Sequence, residues 1–168
     1  MLTALILASL ILFAGINAVS IKKYGLLSCY SAYGPEWDAE RKKYYDINIW
    51  SLITVVTAFM IVPPMIERGA DNPWQFLGFV APVYLFLVGL TPHYLTNKTE
   101  GTIHRIGAIS SLILSLIWFI LVLHMWYVPL LMITIAAILM FATKTLPSWM
   151  WWGEIAFYAS VYFALLFC

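Results

Sequence analysis

The chain has 168 residues, of which 63% are hydrophobic and 10% are charged, and its formal net charge is +1. Ordinary soluble domains carry about 25% charged residues, so this composition excludes a fold that faces water over its whole surface. It also leaves no stretch long enough for a separate soluble catalytic or nucleic-acid-binding domain, and we expect no nucleic-acid partner.

Six apolar stretches fill most of the chain, and each is long enough to cross the bilayer core as a helix, which takes roughly 20 residues. They are residues 2–21, 47–66, 74–92, 106–123, 126–143 and 149–168. Glu154, in the last stretch, is the only charged residue inside them. We therefore predict an all-α, polytopic transmembrane helix bundle of six spans, which forms a single domain over residues 1–168.

The basic residues predict the orientation of these spans. Arg68 lies between spans two and three, and the other eight basic residues lie in the first, third and fifth loops. These eight are Lys22, Lys23, Arg41, Lys42, Lys43, Lys98, Arg105 and Lys144. Under the positive-inside rule the odd-numbered loops, including residues 22–46, are cytoplasmic and both termini are outside. This pattern predicts a multi-pass protein of the cell inner (plasma) membrane. The lipid bilayer is therefore an expected partner.

The N-terminal apolar stretch is expected to be a retained span. No basic residue precedes it, whereas Lys22 and Lys23 follow it, which is the reverse of a secretory signal peptide. Cys29 and Cys168 are the only cysteines, and the predicted topology places them on opposite faces. We therefore expect no disulfide between them.

The first loop divides into two halves of different composition. Residues 25–35 are uncharged and rich in Tyr and Ser, whereas residues 36–46 are dense in both charge signs. One interpretation is an interfacial segment whose Tyr rings and Lys stems lie at headgroup depth. The other is a loop that folds back over the bundle to line a site.

Two sequence features bear on helix packing. Pro63 and Pro64 are expected to close span two, and Pro82 is expected to kink span three. Span four carries small residues at intervals of four, which are Gly107, Ser111 and Ser115. Such a stripe indicates close helix packing within the bundle, with homodimerisation as the alternative.

Ionisable groups gather at the predicted cytoplasmic ends of spans three, four and six. His93 ends span three, His104 and Arg105 open span four, Glu100 lies in the hairpin between them, and Glu154 lies near the start of span six. Such groups are costly at membrane depth, so each suggests a function. We take His93, His104, Arg105 and Glu154 as candidate ligand-binding residues, with Glu154 and His104 as the catalytic candidates of an enzyme.

The Glu154 carboxylate has two interpretations. Near the N-terminal end of its helix, its charge is favoured by the helix dipole and could pair with Arg105 or His104. Alternatively, Glu154 could handle protons together with a neighbouring histidine.

The two histidines that bracket the third loop raise the question of a metal. His93 and His104 on adjacent antiparallel helices would suit bis-His haem ligation, or Zn²⁺ or non-haem iron with a carboxylate. Both lie near water, however, and no four-helix histidine pattern is present. We therefore expect interfacial histidines and assign no metal and no cofactor.

These features lead to three hypotheses about function. The first is a small non-enzymatic integral membrane protein, either a subunit of a complex or homo-oligomer or a binder of lipid or a small apolar ligand. The second is a membrane-embedded redox protein or enzyme that uses His93, His104 and Glu154. The third is a transporter or channel, which the near absence of charge within the spans disfavours.

Two short motifs suggest a resemblance. The first loop contains Ser28-Cys29-Tyr30-Ser31-Ala32-Tyr33, and span four is preceded by Glu100-Gly101-Thr102-Ile103-His104. This layout resembles small multi-span proteins of unknown function from gut bacteria and their phages, which show a Ser-x-Ser-x-x-Tyr-Tyr segment and a Gly-x-Val/Ile-His opening. Here the serines are three apart and Gly34 replaces the second Tyr, so the Gly101 to His104 element carries the match. The resemblance implies a bacterial or phage inner-membrane protein and implies no activity.

Overall fold

All regular secondary structure in the described part of the chain is helical. The computed structural model describes residues 1–44 and 48–167, and the side chains of residues 40–44 lie outside the description. The predicted boundaries at residues 46, 47 and 168 fall outside it too. The seven α-helices within the described residues are α1 (Leu2–Tyr24), α2 (Tyr33–Tyr44), α3 (Ile49–Arg68), α4 (Leu77–Gly89), α5 (Lys98–Leu121), α6 (Tyr127–Ala142) and α7 (Trp149–Phe167). Short 3₁₀ turns, Tyr30–Ala32 and Leu146–Ser148, precede α2 and α7. The predicted all-α class is confirmed.

Four helical segments are long and apolar enough to cross a membrane. They are Leu2–Tyr24, Ile49–Arg68, Lys98–Leu121 and Leu146–Phe167, and the helices Leu77–Gly89 and Tyr127–Ala142 are apolar but shorter. The chain therefore has the composition and helix lengths of a membrane helix bundle.

Side-chain and backbone caps set the ends of the long helices. Asn97 accepts hydrogen bonds from the backbone N–H groups of Thr99 and Glu100, at 3.0 and 3.3 Å, so α5 begins at Lys98 rather than at residue 106. Asn48 caps α3 by accepting from the N–H of Ser51. At the end of α1, Gly25 adopts a φ of 76°, a left-handed value that favours glycine.

The prolines do not end their helices. We expected Pro63 and Pro64 to close the second span, but α3 continues through both to Arg68. Each proline removes one backbone donor, and transmembrane helices tolerate this loss where neighbouring groups satisfy the freed carbonyls. Pro82, which we expected to kink span three, is buried and lies inside α4.

Glycines allow α3, α4 and α5 to approach each other closely. A Cβ atom on Gly78 would lie 2.7 Å from the backbone oxygen of Met65, and one on Gly107 would lie 2.8 Å from the oxygen of Tyr84. Ser111 and Ser115, which continue the small-residue stripe of α5, are also buried within the chain. The stripe therefore contributes to packing inside the chain.

Two hydrogen bonds identify the two ends of the bundle. At one, the N–H of Trp151 donates to the Ser28 backbone oxygen at 3.1 Å, which joins the connection after α1 to the start of α7. At the other, Arg68 Nη2 donates to the Leu165 oxygen at 2.9 Å, which joins the ends of α3 and α7. We call these the Glu154 end and the Arg68 end.

Candidate functional site

The connection between α1 and α2 is folded onto the Glu154 end of the bundle. Tyr33 OH donates to the Gly25 oxygen at 2.9 Å and closes this connection on itself. The Tyr30 side chain is 2% exposed, and its hydroxyl lies 3.1 Å from Thr54 Oγ1 on α3. Of the two interpretations of the uncharged half-loop, the structure therefore has the folded-back loop.

Helix α2 continues this folded segment, where we expected a charged half-loop. Pro35 and Glu36 lie in its first turn. The first turn tolerates proline because its N–H groups have no partner within the helix, and the helix dipole there favours the negative charge of Glu36. Trp37 Nε1 donates to Ser20 Oγ at 2.9 Å and fixes α2 against α1. The loop is thus held both at its 3₁₀ turn and at the start of α2.

The Glu154 carboxylate receives hydrogen bonds from the folded loop. Its Oε2 accepts from the backbone N–H of Tyr30, and its Oε1 accepts from Ser31 Oγ at 3.5 Å. The carboxylate therefore lies at the N-terminus of the 3₁₀ turn that leads into α2, where free N–H groups favour a negative charge. Its described partners are these loop groups, whereas we had considered Arg105 and His104.

Tyr94 joins the same set of polar groups from the turn after α4. Its hydroxyl lies 3.7 Å from Cys29 Sγ and also interacts with the Ser31 hydroxyl. Burial raises the pKa of Tyr94 well above 10.0, and the nearby Cys29 and Glu154 raise it further. The phenol is therefore protonated over the physiological range and is available as a hydrogen-bond donor.

The His104 ring packs against the ring of Tyr94. The two rings are stacked, with centroids 3.8 Å apart and planes 11° apart. His104 is 6% exposed, and its Nδ1 lies 3.1 Å from Thr91 Oγ1 on the turn after α4. A Cβ on Gly101 would lie 2.7 Å from the backbone oxygen of Tyr94. Only glycine therefore permits the first turn of α5 to approach the turn after α4 this closely.

These contacts define a group of side chains from the folded loop, the turn after α4, α5 and α7. We call it the Glu154 cluster, and its members are Cys29, Ser31, Tyr94, His104 and Glu154. Two of the four predicted ligand-binding residues, His104 and Glu154, belong to it and are linked through Ser31 and Tyr94.

The other two predicted residues lie outside the cluster. His93 Nε2 lies 3.4 Å from Asp38 Oδ2 on α2, and its backbone N–H donates to Glu100 Oε2. Arg105 Nε donates to the Gly101 oxygen of its own helix at 3.1 Å. The two imidazoles of His93 and His104 thus contact different groups. Among the described residues, no group of three or more His, Cys, Asp or Glu side chains could hold a metal ion.

Sequence reasoning did not select Cys29, Ser31 and Tyr94 as site residues. All three lie in predicted loops without helical periodicity, where side-chain direction cannot be derived from the sequence. The signal available was the density of Tyr and Ser in residues 25–35, which suggested the folded-back loop without a partner for it.

Comparison with protein-family models, with curated proteins and with solved structures finds no match to this chain.

Proposed function

We propose that the chain crosses the inner membrane six times, with both termini outside and the Glu154 end in the cytoplasm. The four long apolar helices support four crossings, and the apolar α4 and α6 each connect opposite ends of the bundle. Helix α4 alone is about 20 Å long at 1.5 Å per residue, and the turns that flank it supply the remaining length.

The lipid-facing surface and the charges also support this topology. Large apolar side chains on α6, among them Ile133, Ile138 and Phe141, are more than half exposed in the isolated chain. Lys22, Lys98 and Lys144 belong to segments at the Glu154 end, whereas Arg68 lies at the opposite end.

Cysteine labelling tests the topology. In a chain carrying Cys29→Ser and Cys168→Ser, single cysteines are introduced as Ala70→Cys, Thr96→Cys, Met125→Cys or Thr145→Cys. We expect a membrane-impermeant maleimide to label the first and third in intact bacterial cells, and the second and fourth only after permeabilisation. Equal labelling of Ala70→Cys and Thr96→Cys would exclude a crossing by α4, and the other pair tests α6 in the same way.

We propose further that the protein is a non-enzymatic binder of an uncharged amphiphile whose polar end carries hydroxyl groups. The observation that supports this function is the convergence of a phenol and a carboxylate that both keep hydrogen-bonding capacity. Tyr94 and Glu154 are half-buried residues. The Tyr94 hydroxyl lies 3.7 Å from Cys29 Sγ, and Glu154 Oε1 accepts from Ser31 Oγ at 3.5 Å, which is long for an O–H···O hydrogen bond. The Ser31 hydroxyl contacts both groups, and a ligand hydroxyl could replace it by accepting from Tyr94 and donating to Glu154.

The location and chemistry of the cluster select the ligand class. A charged head would lose more hydration on burial than a hydroxyl group would. The surrounding apolar helices would receive the hydrocarbon tail. The redox alternative has less support, because His93 and His104 contact different groups and no metal-holding group occurs among the described residues.

Ligand binding to purified protein tests this function. The probe is a monoacylglycerol, compared with a fatty acid methyl ester of equal chain length that lacks the hydroxyl groups. We expect the monoacylglycerol alone to be retained in native mass spectra, with retention lowered about tenfold by Tyr94→Phe, since a hydrogen bond to a desolvated partner contributes about 1.4 kcal/mol.

Matched variants distinguish binding from folding. Tyr84→Phe removes a hydroxyl from α4 outside the cluster and should leave retention unchanged. Glu154→Gln should also lower retention, while Glu36→Gln should not. Equal retention of both probes, or unchanged retention in Tyr94→Phe, would contradict the proposal, as would chemical conversion of the bound monoacylglycerol.

A further inference from the structure

A cavity at the Arg68 end combines apolar walls with two opposite charges. Its volume is about 490 Å³, within the range of small-molecule sites. Leu2 and Ile6 of α1 and Leu123 after α5 supply apolar surface, and Glu67 and Arg68 supply the charges. None of these residues belongs to the Glu154 cluster, so the cavity is a separate candidate site.

The guanidinium of Arg68 makes one side-chain hydrogen bond within the part of the chain that the structure describes. Its Nη2 donates to the Leu165 oxygen at 2.9 Å, which anchors the side chain against the end of α7. Arginine has five N–H donors in a planar fork, and the donors that remain suit a phosphate group. Because Arg68 is the one basic residue away from the predicted cytoplasmic loops, orientation in the membrane does not account for it.

Glu67 supplies the complementary charge next to Arg68. Its side chain is exposed and makes no hydrogen bond or ion pair with any residue that the structure describes. The two residues are consecutive at the end of α3, so their side chains point in different directions. Both nevertheless line the cavity. A free carboxylate and a partly free guanidinium beside an apolar pocket match a head with one anionic and one cationic group.

We propose that this cavity binds the head of a phospholipid that carries a phosphate and a primary ammonium group. The phosphate binds Arg68, the ammonium group donates to Glu67, and the start of an acyl chain packs against Leu2, Ile6 and Leu123. Phosphatidylethanolamine has this chemistry. Phosphatidylglycerol lacks the ammonium group, and the quaternary amine of phosphatidylcholine has no N–H to donate to Glu67.

Native mass spectrometry of the full chain released from detergent tests the proposal. The probes are phosphatidylethanolamine, phosphatidylglycerol, phosphatidylcholine and diacylglycerol with identical acyl chains, and free phosphoethanolamine. We expect phosphatidylethanolamine to be retained most strongly. Equal affinity for free phosphoethanolamine would overturn the assignment to a lipid, and equal affinity for diacylglycerol would overturn the role of the head.

Single substitutions separate the two charges. Arg68→Gln should weaken phosphatidylethanolamine and phosphatidylglycerol by about tenfold, since charge-assisted hydrogen bonds are the strong ones. Glu67→Gln should weaken phosphatidylethanolamine alone and abolish its preference over phosphatidylglycerol. An unchanged preference in Glu67→Gln would overturn the proposal.

Control variants distinguish a loss of phospholipid binding at this cavity from misfolding and from a loss of binding at the Glu154 cluster. Glu67 is exposed, so Glu67→Gln should fold normally, and Arg68→Lys keeps the charge if Arg68→Gln does not fold. Arg105→Gln and Glu36→Gln remove charges elsewhere and should leave phosphatidylethanolamine binding unchanged. Tyr94→Phe should do so as well, so failure at the Glu154 cluster is distinguishable from failure here.

Discussion

The Tyr94 ring is stacked on His104, with ring centroids 3.8 Å apart. This contact joins the turn after α4 to the first part of α5, and His104 Nδ1 adds a 3.1 Å contact to Thr91 in the same turn. The stack fixes the position of the Tyr94 ring, and the Tyr94 hydroxyl faces Cys29. The Glu154 cluster therefore depends on a histidine that acts through the position of Tyr94.

His104→Ala should destabilise the protein by about 1–3 kcal/mol, because it removes an aromatic pair and leaves Thr91 without its ring partner. The measurement is the free energy of unfolding in mixed micelles as the denaturing detergent is increased. His124→Asn is the control, since His124 is exposed and has a φ of 55°, which asparagine tolerates. A loss in the control as large as that in His104→Ala would contradict this role.

Glu154→Leu should release the folded loop, because it leaves the buried Tyr30 N–H without an acceptor, a loss of about 1–3 kcal/mol. Glu154→Gln keeps one acceptor oxygen and should have a smaller effect. Trypsin cleavage after Lys23 reports release of the loop and should become faster in the order wild type, Glu154→Gln, Glu154→Leu. Cleavage in Glu36→Gln should match that of the wild type, and equal rates in all four proteins would rule out the Glu154 contact as an anchor.

Gly78→Ala and Gly107→Ala should each destabilise the bundle by about 1–3 kcal/mol, because the added methyl groups would press against the backbone of a neighbouring helix. Gly15→Ala and Gly153→Ala are matched controls, since a Cβ at either position meets nothing within 4 Å. Both controls should be neutral or slightly stabilising, given the higher helix propensity of alanine. Equal effects in the two pairs of variants would show that helix propensity, and not close approach, determines the result.

The protein should lose stability above about pH 10, where tyrosine ionises in the unfolded chain. Burial raises the pKa values of Tyr30 and Tyr94 in the folded state. At such pH the unfolded chain has released protons that the folded chain still holds, so the free energy of unfolding falls as pH rises. Tyr30→Phe and Tyr94→Phe should each flatten this fall in unfolding titrations between pH 8 and 12. Tyr127→Phe, which alters an exposed side chain, should keep the wild-type slope, and no change in the first two variants would refute the prediction.

The positions of the helices could be predicted because they depend on local apolar content. The predicted span 126–143 and helix α6 (Tyr127–Ala142) differ by one residue at each end. Helix α2 was not predicted. Helix α5 begins well before residue 106, because the Asn97 cap adds charged and polar turns ahead of the apolar run. Apolar content marks the part of a helix in the bilayer core, whereas the cap marks the start of the helix.

Within the candidate site, the sequence identified Glu154 and His104 because ionisable groups are rare and costly in apolar spans. The sequence alone thus determined that the chain is helical and apolar, where most of its helices lie, and at which end its polar groups gather. The tertiary structure alone decided that the loop folds onto α7, that Cys29, Ser31 and Tyr94 join the cluster, and that His93 and Arg105 do not. It also produced the cavity at the Arg68 end. Apolar content is a sum over neighbouring residues, whereas these contacts join residues as far apart as Tyr30 and Glu154, so they exist only once the helices have packed.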